Sequence, residues 1–80
     1  MSDTSTVRIG SMVRVLDRDG EEEYTIVGAE EADFASRRIS SDSPLAMALL
    51  GHGEGDQVKV RAPGGLRAVT IVRVGVAILV

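Results

Sequence analysis

The sequence predicts one small domain of the α+β class, in which an antiparallel β-sheet packs against a single short helix. Two pairs of alternating or aliphatic segments, each pair joined by a turn, are typical of β-hairpins. Only one segment carries a complete helix signature. The chain has 80 residues and only two aromatic side chains, Tyr24 and Phe34, so its core must be aliphatic.

The first hairpin is predicted close to the N-terminus. Residues 12–16 alternate between apolar and polar side chains, which places Val13 and Val15 on the inner face. Residues 22–27 form the second strand. Residues 17–23 contain acidic side chains and a glycine, which favour a turn between the two strands.

The helix is predicted at residues 44–50, after a polar excursion and a short strand at 38–40. Ser43 can cap it with its hydroxyl oxygen, and Pro44 suits the first helical position, where no N–H is needed. The following residues are good helix formers, and Gly51 ends the run. We expect three side chains at i, i+3 and i+4 to cover one sheet face: Leu45, Ala48 and Leu49.

A second hairpin is predicted in the C-terminal part of the chain. Residues 51–56 form a glycine-rich connector, residues 57–62 alternate as a strand does, and residues 63–65 form a tight turn. The last strand covers residues 66–76. In a regular strand, Val69 and Ile71 would point to one face of the sheet, and Val72 and Val74 would point to the other. We therefore expect a β-bulge near Val72 that lets all four side chains contribute to the core.

Composition excludes several classes of protein. The absence of cysteine excludes disulfides and cysteine-ligated zinc, and it fits a cytoplasmic location. The net charge of −3 argues against a general nucleic-acid binder. No apolar run approaches the roughly 20 residues of a membrane-spanning helix. Residues 1–6 are polar and read as a flexible lead-in rather than a signal peptide.

Three patterns that can mark catalytic or ligand sites are explained better by local structure. His52 stands alone between two glycines, which hold a general base poorly. The acidic runs at 21–23 and 30–33 lack the spacing of a cation site. The G-x-G-x-G pattern at 51–55 follows a helix and precedes a strand, the reverse of a phosphate-binding loop. We expect no catalytic residue, no cofactor and no metal.

Two segments are candidate interaction surfaces. Arg37 and Arg38 lie close in sequence to residues 42–44, and they form either a solvated pair or a charged rim around an apolar corner. The tail at 76–80, VAILV, is either the end of the last strand or an apolar edge for self-association.

Six blocks of sequence carry a family resemblance in the correct order and spacing. They are VRIGSMVRV at 7–15, YTIVG at 24–28, EADF at 31–34, ISSDSPLAMALLG at 39–51, GDQVKV at 55–60 and APGG at 62–65. With these blocks the chain resembles the C-terminal domain of the GreA/GreB transcript-cleavage factor family. The resemblance spans about residues 7–76, and the predicted domain covers residues 7–80.

The resemblance implies an FKBP-like fold and a partner. In the family this domain docks on the coiled coil at the rim of the secondary channel of bacterial RNA polymerase, using the loop at the start of the short helix. That loop is residues 40–45 here. The implied partner-binding residues are Ser40, Ser41, Asp42, Ser43, Pro44 and Leu45.

The departures from the family limit the expected activity. Family members carry an N-terminal helical hairpin whose acidic tip helps to hold a catalytic Mg²⁺, and residues 1–6 cannot form one. The expectation is therefore a polymerase-binding module without transcript cleavage. Two alternatives stay open: an interaction or dimerisation module that has lost polymerase binding, and an FKBP-type peptidyl-prolyl isomerase.

Overall fold

The computed structural model describes residues 6–76, which form a curled five-stranded sheet with one helix on its inner face. The predicted lead-in lies outside the described residues except for Thr6, which pairs with Gly53 in an isolated β-bridge. No helix within 6–76 has the length and hydropathy to cross a bilayer. The elements in chain order are β1 Ser11–Asp17, β2 Gly20–Val27, two 3₁₀ turns at Ala29–Glu31 and Phe34–Ser36, β3 Arg38–Ser40, α1 Pro44–Leu49, β4 Gln57–Ala62 and β5 Gly65–Val76.

The sheet is mixed, with the strand order β3-β2-β1-β5-β4. Three neighbouring pairs are antiparallel, whereas β3 lies parallel to β2. A parallel neighbour needs a crossover connection instead of a tight turn, and residues 28–37 with their two 3₁₀ turns supply it. The α+β class is confirmed, and β3 adds one parallel pair to the predicted antiparallel sheet.

The turn between β1 and β2 is tighter than the sequence predicts. Asp17 pairs directly with Gly20, which has a φ of +120°, so that only two residues stand between the strands. The acidic run lies in β2. The carboxylate oxygens of Glu21 and Glu23 lie 3.7 and 3.5 Å from the guanidinium nitrogens of Arg14 in β1. Such cross-strand charge pairs stabilise a sheet surface, and sequence composition does not reveal them.

The predicted bulge in β5 is confirmed. Arg14 pairs with Arg73 and Val15 pairs with Ile71, so Val72 is the extra residue. The bulge restores the inward direction of Val74, which is buried. Val72 itself is 37% exposed, so the expectation that it contributes to the core is wrong: the bulged residue is the one that the inward pattern skips.

Helix α1 packs its face against β4 and closes the core. Ala46 and Leu49 are fully buried, whereas Leu45 and Ala48 are only partly buried. The buried face of the helix therefore begins at Ala46, one position after the predicted Leu45. A buried alanine has a short side chain and lets a helix approach a sheet closely, which leaves Leu45 at the margin of the contact.

The packing of α1 predicts a strong asymmetry between two of its residues. Replacing the fully buried Leu49 with alanine is expected to lower the free energy of unfolding by about 2–5 kcal/mol, because it leaves a cavity in the core. Met47→Ala is the matched control: Met47 is 65% exposed, and its loss should change stability by about 0.5 kcal/mol or less. Urea denaturation measures both; equal effects would contradict this packing.

The connector between α1 and β4 is held by one carboxylate. Asp56 accepts a hydrogen bond from the backbone N–H of Gly53 at 2.9 Å, and its Oδ2 lies 3.2 Å from Nδ1 of His52. These two hydrogen bonds hold the pKa of Asp56 below its ordinary value of 3.8, and the hydrogen bond from Gly53 has the larger effect. The glycines of this segment serve as helix stop and turn, since Gly51 and Gly55 have φ of +86° and +90°.

This arrangement predicts a pH-dependent effect of Asp56→Ala. Because the folded pKa is lower than the unfolded one, the stabilisation by the carboxylate is present above pH 3.8 and is lost as the pH falls through the folded value. The variant should therefore have a lower melting temperature than wild type at neutral pH, and this difference in melting temperature should disappear in acid. Asp42→Ala is the control, because the Asp42 carboxylate makes no hydrogen bond or ion pair within residues 6–76, and this variant should melt as wild type does. Thermal melts followed by circular dichroism test this prediction. A difference in melting temperature that does not depend on pH would contradict it.

Candidate partner-binding site

The loop that joins β3 to α1, residues 40–45, is the predicted corner, and its backbone is tied to the sheet. The Ser41 N–H donates to the carbonyl of Val27 at 2.8 Å. The Ser43 N–H donates to the carbonyl of Ser40 at 2.9 Å, and the Asp42 N–H donates to the Ser40 hydroxyl oxygen at 3.1 Å. The loop is therefore held by two hydrogen bonds of its own and by one to β2.

Ser43 and Pro44 begin the helix as the sequence predicts. Ser43 has extended backbone angles, and its hydroxyl oxygen accepts a hydrogen bond from the Ala46 N–H at 3.2 Å. Pro44 occupies the first helical turn. The oxygens of Ser40 and Ser43 thus accept hydrogen bonds within the chain, so these serines shape the corner.

Two side chains of the corner point outward without a partner of their own. Asp42 and Pro44 are exposed. Within residues 6–76, the Asp42 carboxylate makes no hydrogen bond or ion pair. Ser41 and Leu45 are half-buried. The corner therefore presents one uncompensated negative charge next to an apolar proline ring.

A cleft of about 310 Å³ opens beside the corner, over the part of the inner sheet face that α1 leaves uncovered. Ser43, Pro44 and Leu45 line it from the helix side, whereas Ser40, Ser41 and Asp42 do not. Its other lining residues are Val15, Asp17, Glu22, Tyr24, Phe34, Ile39, Val60, Arg61, Pro63, Arg67 and Val69.

Both aromatic residues of the chain line this cleft. Tyr24 is half-buried on β2, and Arg37 lies over its ring at 5.8 Å. Phe34 stands on the second 3₁₀ turn and is 74% exposed. Sequence reasoning did not place them in the site, although their isolation in an otherwise aliphatic chain was a usable signal.

Of the charged side chains that line the cleft, Asp17, Glu22 and Arg67 form ion pairs, whereas Arg61 forms none within residues 6–76. Arg67 of β5 pairs with Asp17 of β1 and lies 3.8 Å from Asp19. Arg37 pairs with Glu22 of β2. Arg37 therefore lies at Glu22 and Tyr24 of β2, whereas the backbone of Arg38 pairs with Asp33 and its side chain is exposed.

Of the sequence patterns weighed as catalytic or ligand sites, the acidic run at 21–23 contributes Glu22 to the lining of the cleft. Within the described part of the chain, no group of three or more His, Cys, Asp or Glu side chains is placed to hold a metal ion. Beyond Val76, the predicted self-association tail lies outside the described residues.

Comparison with known proteins identifies a family. The family model described as "Transcription elongation factor, GreA/GreB, C-term" matches residues 2–75. The transcription elongation factor GreA of Chelativorans sp. (strain BNC1) is 52% identical over 71 residues, which are 86% of this chain and 45% of that protein. GreA of Rhodospirillum rubrum is 53% identical over 74 residues, 88% of this chain and 47% of that protein. The chain spans about half the length of these relatives.

Solved structures share the fold. The crystal structure of Thermus aquaticus Gfh1 matches with a TM-score of 0.81 at 27% identity, covering 92% of this chain and 50% of that one. The prokaryotic transcription elongation factor GreA/GreB from Nitrosomonas europaea matches with a TM-score of 0.76 at 31% identity, covering 92% of this chain and 63% of that one.

Proposed function

This chain belongs to the GreA/GreB C-terminal-domain family of transcription elongation factors, and from that membership we propose that it binds bacterial RNA polymerase and modulates elongation without cleaving the transcript itself. The docking site is the coiled coil at the rim of the secondary channel. The place of action is the bacterial cytoplasm, where transcription takes place.

The hydrogen-bonded corner is the observation that supports this proposal most directly. The loop of residues 40–45 is fixed by three hydrogen bonds before any partner arrives, so little conformational entropy remains to be lost on binding. Pro44 supplies apolar contact, and the carboxylate of Asp42 supplies a charge for a basic residue of the coiled coil. The patch is small and fits a transient contact, which typically buries less than about 1,200 Å².

The proposed role is that of an anchor. The domain can hold the polymerase and occupy its channel rim, where it competes with other factors that dock there.

A double substitution at the corner tests the proposal. Asp42→Ala with Pro44→Ala removes the charge and the proline ring but retains Ser43 and its cap. We expect the affinity for bacterial core polymerase to fall about tenfold or more, about 1.4 kcal/mol, with a nearly unchanged melting curve. Co-precipitation and fluorescence anisotropy with labelled domain measure it.

The matched control is Glu30→Ala with Leu66→Ala, which removes an exposed carboxylate and an exposed apolar side chain outside the corner. This variant should bind polymerase as wild type does. If the corner variant and the control bind equally well, the assignment of residues 40–45 as the docking site is wrong.

The isomerase alternative has one observation in its favour, since Tyr24 and Phe34 line the same apolar cleft. The charged residues that line the cleft include Asp17, Glu22 and Arg67, and these are paired with one another or with Arg37. We expect no acceleration of prolyl cis–trans exchange in a model peptide, measured by NMR exchange spectroscopy. Acceleration by wild type that Tyr24→Ala abolishes would establish the alternative.

A further inference from the structure

We propose that the cleft beside the corner receives an aliphatic side chain of the polymerase, and that Phe34 is the principal residue that holds it. This inference rests on the proposed function and extends it from the corner to a second, apolar half of the docking surface. The two halves are continuous, because Ser43, Pro44 and Leu45 belong to both.

The cleft exists because α1 is too short to cover the sheet. The six-residue helix packs on β4, and the inner-face residues Val15, Tyr24 and Val69 form part of the floor of the space that remains. Its volume of about 310 Å³ is larger than the roughly 150 Å³ of an apolar cavity that accepts benzene. The space is therefore sufficient for a branched aliphatic side chain.

The chain holds Phe34 at the margin of this cleft by a dense set of local bonds. The Asp33 carboxylate accepts hydrogen bonds from the Ala35 N–H at 3.2 Å and from the Ser36 hydroxyl at 3.0 Å. The backbones of Asp33 and Arg38 exchange two hydrogen bonds, of 2.8 and 3.0 Å. Arg37 ends the turn in the left-handed region at φ 60°, a conformation that a non-glycine residue adopts at an energetic cost.

This local order presents an aromatic ring to solvent instead of burying it. Phe34 is 74% exposed, the most exposed of the large apolar side chains in residues 6–76. An exposed aromatic residue on a hydrogen-bonded turn, beside an apolar depression, is suited to contribute much of a binding energy once a partner buries it.

Charge indicates the chemistry of the occupant. Arg67 and Arg37 are already paired with Asp17 and Glu22, so the partner needs no countercharge there. Within residues 6–76 the Arg61 guanidinium and the Asp42 carboxylate have no ion-pair partner. The fitting partner segment therefore carries an aliphatic side chain flanked by a basic residue, facing Asp42, and an acidic residue, facing Arg61.

Three single variants test this inference against core polymerase. Phe34→Ala should weaken binding tenfold or more, and Phe34→Leu, which keeps an apolar side chain, should weaken it less. Leu66→Ala is the matched control: Leu66 is 65% exposed but does not line the cleft, and its loss should leave binding unchanged. Because positions 34 and 66 are both exposed, each variant should keep the wild-type melting curve. A photocrosslinking amino acid at position 34 should label an aliphatic residue of the polymerase coiled coil.

The possible results separate this inference from the proposed function. If wild type does not bind polymerase, both are wrong. If the corner variant loses binding but Phe34→Ala and Leu66→Ala both bind as wild type does, the corner stands and the cleft proposal is wrong. If wild type self-associates in sedimentation velocity and Phe34→Ala dissolves the dimer without affecting polymerase binding, a second copy fills the cleft and the proposal is overturned.

Discussion

The inner face of the five-stranded sheet is covered by a single helix of six residues, Pro44–Leu49. The aliphatic core forms where this helix meets β4, through the fully buried Ala46 and Leu49. Beside the start of the helix, the inner face stays open as a cleft that is lined by valines and by the paired side chains of Asp17, Glu22 and Arg67. The position and length of one helix therefore determine the core, the cleft and the exposed corner at the same time.

The same hydrogen bonds that stabilise the fold also prepare the proposed docking surface. The Ser43 cap begins the helix and fixes the direction in which Pro44 points. The Asp33 carboxylate closes a 3₁₀ turn and thereby holds Phe34 out of the core. A small domain has little binding area to offer, so preorganisation of a few side chains is an effective way for it to gain affinity.

Much of the local structure could be predicted from the sequence. The alternation of apolar and polar side chains predicted the β1–β2 and β4–β5 hairpins, and Ser43 and Pro44 predicted the start of the helix. The errors arose where a residue's role depended on a neighbouring strand. Glu21 was assigned to the turn alone because its contact with Arg14 is not visible in composition, and Val72 was counted in the core although the bulge turns it outward.

The capped corner of residues 40–45 and the family resemblance are both visible in the amino-acid sequence, because capping, proline placement and periodicity act within a few residues along the chain. That Phe34, Tyr24, Pro44 and Arg67 line one cleft is visible only in the folded chain. They come from four separate segments, and the parallel pairing of β3 with β2 brings the turn that bears Phe34 against the sheet. Such contacts depend on strand order and register, which are set by the cooperative packing of the whole core.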